Sequence, residues 1–453
     1  MATEMNLITP DQFEIAYRRH ENKLYAWLSE NASWFIMAIA CLALYGLTEI
    51  TNSYFTAGQF KYFAVGAFVL VRLFCDGVWA LLALALLAPF VPKRYQSLFQ
   101  FYAAMTFAVF TAYTVYSGTD LLTYALGLTI IPFVMILSWI YLRASVGQVR
   151  WAPTIFYSLF FWALMGAAAY WIWLYYPEKL NRFWQLKPQF IWLSTLILVW
   201  QKKITDSETM YAFNPMNGFR GVLWPYDFGW EEERQERQKI WWNGYCNILL
   251  GYLILLFRIW LEKGPLESFR NTETLRVSGH LLTILSDVGA LNLVSGTARL
   301  FGYGVRDATN FVFLARTPAD IWRRSSTYNY LFVLRCVYMP LFRFSKNVFI
   351  ISFISFLVFF INHHGLWNFL YIGLHITGIQ PVESKFKLFK LAVFFLHFLM
   401  LFFLLYFTRR WWFFQWRDMG NPKIAWASVF LTHVLRIGAR ALSWNLAVLF
   451  FGS

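Results

Sequence analysis

Apolar residues in this chain come in blocks long enough to cross a bilayer. There is no Asp, Glu, Lys or Arg between Leu391 and Thr408, and the run FFLHFLMLFFLLYF lies inside that interval. A helix needs roughly 20 such residues to span the hydrocarbon layer. The chain has 453 residues, is 59% hydrophobic and 14% charged, and carries 48 Phe, 25 Tyr and 23 Trp. Soluble proteins carry about a quarter charged residues. The expectation is therefore an all-α polytopic membrane protein with about 11–13 membrane helices and re-entrant segments.

Expected spans lie near 34–50, 63–91, 97–116, 120–143, 153–175, 188–200, 241–260, 278–303, 328–344, 347–363, 366–380, 386–408 and 424–451. No repeat or separate soluble domain interrupts them, so residues 1–453 are read as one membrane domain. The first 32 residues are polar and include Arg18, Arg19 and Lys23, so the block from Trp34 to Ile50 is expected to be a retained span rather than a cleaved signal. Loops alternate in charge. The 51–60 and 117–119 connections have no Lys or Arg, whereas 92–96 carries Lys93 and Arg94 and 144–152 carries Arg150. Cationic loops stay on the cytoplasmic side. That rule expects 1–32 and the 201–240 loop in the cytoplasm. It also accounts for the net charge of +15 without an anionic macromolecular partner, so no nucleic acid is expected. The run WEEERQERQK reads as a solvated helix with opposite charges three to four residues apart. The cysteines Cys41, Cys75, Cys246 and Cys336 form no C-x-x-C pair and are read as small core residues.

Ionisable groups inside membrane segments are functional candidates. Arg72 and Asp76 are four apart and can neutralise each other on one helix face, either as a structural pair or as part of a site. Asp287 lies in LSDVGALNLVSG, a stretch too polar to face lipid, which must pack on protein or line a cavity. His397 and His433 are isolated and read as hydrogen-bonded core histidines. Asn362, His363 and His364 stand together at the end of an apolar run. Adjacent helical histidines point about 100° apart and rarely share an ion, so no metal is expected there. There is no P-loop and no G-x-S-x-G elbow. The chemistry left for a membrane histidine is proton transfer, as a general base or as a relay.

Over residues 286–378 the sequence resembles the core of the membrane-bound O-acyltransferase family, in particular its alginate O-acetylation and teichoic-acid D-alanylation branch. The matching residues are Ser286, Asp287, Gly302, Asn310, Phe311, Arg316, Pro318, Trp322, Arg323, Arg324, Tyr338, Pro340 and Leu341. After these, His364-Gly365 falls where the family keeps W-H-G. The resemblance implies an acyltransferase core in a bacterial cytoplasmic membrane. The thioester donor, an acyl-CoA or an acyl-phosphopantetheine carrier, enters from the cytoplasm. The hydroxyl acceptor, on a glycan or a lipid, enters from the other side. It puts His364 in the role of general base, with Asn362 and Ser326 at the other catalytic positions. Arg316, Trp322, Arg323, Arg324, Asp287 and Asn310 fall on the substrate-binding side. The three arginines would meet the donor's phosphates, or else they are positive-inside anchors. Implied partners are membrane lipids, an acyl carrier protein and extracytoplasmic acyltransferases.

The match departs from the family pattern at several places. The second catalytic histidine of the family falls on Ser326, and the tryptophan before it on Ser325. An Arg-Asp pair further on falls on Leu334-Arg335, and His363 replaces the tryptophan before the base. Two expectations follow: an active enzyme with a rearranged site, or a subunit of the same fold that binds lipid or scaffolds a complex without catalysis. A proton-coupled transporter using Asp287 and His364 is the third reading.

Overall fold

The computed structural model of the protein describes residues 8–56, 85–95, 99, 234–265, 274–300, 307, 309–325, 327, 330, 333–360, 384–408 and 420–451. Every regular element among them is helical. The helices are α1 (Pro10–Asn31), α2 (Trp34–Thr56), α3 (Arg234–Lys263), α4 (Thr274–Leu300), α5 (Pro318–Ser325), α6 (Met339–Phe344), α7 (Val348–Phe360), α8 (Ser384–Thr408) and α9 (Pro422–Phe451). Short 3₁₀ turns occur at Ala88–Phe90, Lys93–Tyr95 and Val312–Leu314, and a π-helical turn at Val333–Tyr338. By length and composition, one described helix can cross a membrane, within Gln235–Glu262. Shorter apolar stretches lie at Trp34–Leu47, Ile284–Leu293, Val348–Val358 and Phe395–Thr408. The expected spans near 120–143, 153–175, 188–200 and 366–380, all of 97–116 but Phe99, and the Arg72–Asp76 pair lie outside the described residues.

The chain clusters into two compact units: 1–27 with 269–280 and 307–453, and 28–268 with 281–306. In the second unit α3 and α4 run antiparallel at backbone contact. A Cβ added at Gly244 would stand 2.7 Å from the Gly296 carbonyl oxygen, and one at Gly296 would stand 2.7 Å from the Gly244 carbonyl oxygen. One heptad along each helix, Gly251 and Gly289 repeat the approach. Small residues let helix backbones approach closely. Arg299 Nη1 donates to Asn243 Oδ1 at 2.6 Å across the same seam. Ser286 and Ser295 are buried and return their hydroxyls to carbonyls one turn back, at Leu282 and Leu291. The polar α4 stretch thus packs on protein.

α3 begins at Arg234, so the end of the charged run continues directly into the apolar helix. Its first turns are tied down. Arg237 Nε donates to Pro89 O at 3.1 Å, and Trp241 Nε1 to Ala85 O at 2.9 Å. These carbonyls lie where helical pairing along the 85–90 segment runs out, and a helix end leaves such acceptors open.

In the first unit α8 packs along α9. α7 lies antiparallel to α8 through interleaved rings: Phe349 meets Tyr406 at 5.0 Å between ring centroids, Phe353 meets Phe402 at 5.3 Å, and Phe356 meets Phe398 at 5.6 Å. Spacings of three to four residues put those rings on one face of each helix. The expected 328–344 span is not one α-helix. From residue 333 on it is the π turn Val333–Tyr338 followed by α6, which gives way to Ser345–Asn347. Pro340 supplies no N–H and crowds the carbonyl four residues earlier, which favours a widened turn before it. Asn347 then caps α7, its Oδ1 accepting from the Phe349 and Ile350 amides.

Candidate functional site

Five of the residues nominated from sequence, Asn310, Arg316, Trp322, Arg323 and Arg324, lie on α5 and the connection into it. Two Thr-Pro pairs start the helices involved. Thr9 and Gln12 form a reciprocal capping box at the head of α1: the Gln12 amide donates to Thr9 Oγ1 at 3.3 Å, and the Thr9 amide to Gln12 Oε1 at 2.8 Å. Thr317 Oγ1 accepts from the Asp320 amide at 3.1 Å at the head of α5. Pro10 and Pro318 open their helices, where a missing N–H costs nothing.

Arg324 sits at the centre. Its side chain is 6% exposed, with Nη1 2.6 Å from Glu14 Oε2 and Nε 2.8 Å from Asp320 Oδ2. Burial works against its charge. Hydrogen bonds and charges from Glu14 and Asp320 outweigh that and raise the guanidinium pKa. Nη1 also donates to Asn310 O at 3.3 Å, while the Asn310 amide donates to Arg324 O at 2.8 Å. Asn310 and Arg324 thereby close the 310–324 loop on itself. Asn310 Oδ1 accepts from Arg18 Nη2 at 2.5 Å. Arg18 pairs in addition with Asp307 at 3.1 Å and stacks over the Phe311 ring at 5.0 Å. Phe311 holds a left-handed backbone (φ 45°), a strained conformation for a residue with a Cβ.

Arg316 is buried and pairs with Asp11 at 2.5 Å. Its carbonyl accepts from Ser428 Oγ of α9. Arg323 is the exposed member, its side chain 55% accessible, and it turns back to Asp320 at 2.6 Å. Four guanidiniums (Arg18, Arg316, Arg323, Arg324) thus face four carboxylates (Asp11, Glu14, Asp307, Asp320). The cluster is balanced. Its chemistry is a clamp that holds α1 against the Asp307–Ser325 segment.

Of the other nominated residues, Trp322 packs edge-on against Tyr330 and Phe356, joining α5 to α7. Ser325 Oγ donates to the Trp322 carbonyl at 3.3 Å. Asp287 is half-buried on α4 and belongs to the second unit. His364, Asn362 and Ser326 lie outside the described residues. His433 has its Nε2 3.3 Å from the Phe313 carbonyl oxygen, the hydrogen-bonded role expected for it.

No family model, curated protein or solved structure matches the chain.

Sequence reasoning missed Asp11, Glu14 and Arg18 as partners of the arginines. The signal was present. Thr9-Pro10-Asp11-Gln12 is a helix start, and Glu14 and Arg18 are four apart on the helix it starts.

Proposed function

We propose that the chain is a multi-pass acyltransferase of a bacterial cytoplasmic membrane, with its N-terminal segment on the cytoplasmic side. The acceptor hydroxyl, on an extracytoplasmic glycan or a lipid-linked molecule, attacks the carbonyl carbon of an acyl thioester. His364 takes the hydroxyl proton, the C–S bond breaks, and the proton passes to the leaving thiolate to give a free thiol and an ester. The donor is an acyl-CoA or an acyl-phosphopantetheine carrier. The observation that carries this reading is the closed Asn310–Arg324 loop. Asn310 and Arg324, two residues picked out by the resemblance fourteen positions apart, are bonded to each other in the fold, which supports reading them as parts of one element. Large apolar side chains facing outward on α2, α3 and α9, among them Phe35, Leu42, Leu253, Trp260, Phe430 and Leu449, support placement in lipid.

One observation favours a second reading, a non-catalytic subunit that binds lipid or scaffolds a complex. Arg316 and Arg324, the groups nominated for donor phosphates, are already ion-paired with α1. The test is acyl transfer by protein in bilayers given a radiolabelled acyl thioester and a hydroxyl acceptor. Removing a general base typically costs about 10²–10⁴-fold. A loss of that size in His364→Ala supports the enzyme. Absence of transfer by the native chain, in a preparation that stays associated with a partner complex, supports the subunit.

A further inference from the structure

An ordinary surface helix buries its apolar stripe and exposes its charges. α1 departs from this pattern: it turns charged side chains inward on one side and leaves large apolar ones outward on another. Its buried and half-buried side carries Asp11, Glu14, Arg18, Glu21 and Tyr25, the first three committed to the clamp on the Asp307–Ser325 segment. Phe13, Tyr17, Leu24 and Trp27 are exposed, at 43%, 41%, 48% and 60%. At 3.6 residues per turn these four, with exposed His20 among them, lie within an arc of about 80° and run along about 21 Å of helix. The clamp fixes the rotation of α1, so this stripe cannot turn inward without breaking the buried pair at Arg324.

The margin of the stripe is basic. Arg19 and Lys23 are exposed, stand one turn apart along one edge and make no ion pair among the described residues. An aromatic and leucine face with cations beside it suits the boundary between headgroups and acyl chains, where Trp and Tyr rings settle. Two residues after α1 the chain enters α2, whose first residues Trp34, Phe35 and Ile36 are exposed and apolar.

We propose that α1 is an in-plane membrane helix that lies on an anionic bilayer surface, held there by Phe13, Tyr17, Leu24 and Trp27, with Arg19 and Lys23 on the lipid phosphates. The proposal rests on the membrane placement above and is independent of acyl transfer. It gives the ion-pair cluster a purpose: the clamp ties the Asp307–Ser325 segment to a helix whose depth the bilayer sets.

The test is spin-label depth measurement on the full chain in bilayers. Single nitroxides are placed at Phe13→Cys, Leu24→Cys, Asn22→Cys and Leu253→Cys, the native cysteines being replaced by alanine in a background whose detergent elution matches the native chain. Oxygen and a neutral nickel chelate are the collision partners. In bilayers containing phosphatidylglycerol, positions 13 and 24 should favour oxygen and position 22 the chelate. In pure phosphatidylcholine the oxygen preference at 13 and 24 should fall at least twofold. Arg19→Gln with Lys23→Gln should give that lower value even in the anionic bilayer. Chelate preference at 13 and 24 in both lipids overturns the proposal, as does equal oxygen preference in both. Shielding from both collision partners also overturns it, because it puts a second copy or another protein on the stripe. Leu253 on α3 distinguishes failure of the in-plane helix from failure of the membrane placement. If it favours oxygen while 13 and 24 do not, the in-plane helix fails and the membrane placement stands. If it favours the chelate, the membrane placement itself fails.

Discussion

Replacing Arg324 by alanine should lower the stability of the folded chain by about 3–5 kcal/mol, the cost of removing one partner from a buried ion pair. The carboxylates of Glu14 and Asp320 would be left facing each other's charge beside a cavity, with 16% and 11% of their side chains exposed. Lysine should not restore the loss. It offers a point charge where the geometry uses a fork, with Nη1 directed to Glu14 and Nε to Asp320. Arg323→Ala, at a side chain open to solvent, should change stability by less than about 0.5 kcal/mol. The check is the thermal or denaturant midpoint of the purified chain in one detergent, read for all three variants. Equal effects at 323 and 324 would mean the pairing around Arg324 does not exist in solution.

The second large effect should come from the α3–α4 seam. Gly244→Ala and Gly296→Ala should each cost about 1–3 kcal/mol, because overpacking forces backbone to move. At Gly244 the added carbon meets the Gly296 carbonyl oxygen and the Leu300 backbone nitrogen, both at 2.7 Å, and backbone atoms cannot swing aside as a side-chain tip can. Gly46→Ala and Gly438→Ala are the controls. A Cβ there meets nothing within 4 Å. Each should be neutral or raise helix stability by about 0.5–1 kcal/mol, since alanine loses less freedom on folding than glycine. Destabilisation of all four variants alike would show that the seam is looser than described.

Much of the helical layout was readable from apolar block length. The blocks near 34–50, 241–260, 278–303, 386–408 and 424–451 correspond to α2, α3, α4, α8 and α9 with ends shifted by a few residues. The larger shifts have physical causes. α3 starts before its apolar block because Arg237 and Trp241 bind carbonyls of the Ala85–Phe90 stretch, which holds a charged turn in helical form. The 328–344 block breaks at Pro340 and again at Ser345–Asn347, where side chains take over the amides that a continuous helix would use.

α1 was invisible as a helix because hydropathy alone describes it as a polar tail. Only its Thr-Pro cap and its three-to-four-residue charge spacing mark it, and those signals are local. The seam of Gly244, Gly251, Gly289 and Gly296 was equally hidden, since no single sequence window shows which helix a glycine will meet. For the arginines, sequence offered two readings, ligand phosphates or anchoring. Their ion pairs with Asp11 and Glu14 come from residues some 300 positions earlier. Spacing within one segment cannot reveal a partner that distant.

Glu14 and Arg324 hold α1 and the Asp307–Ser325 segment together. A double-mutant cycle tests this most directly. Glu14→Gln, Arg324→Met and the double variant are unfolded in the same detergent, and the coupling energy is taken from the three midpoints. Groups in one buried network couple by about 0.5–3 kcal/mol. A favourable coupling of at least about 1 kcal/mol is the expected result, with the double variant losing much less than the sum of the single losses. Additive losses, with coupling near zero, would contradict the clamp.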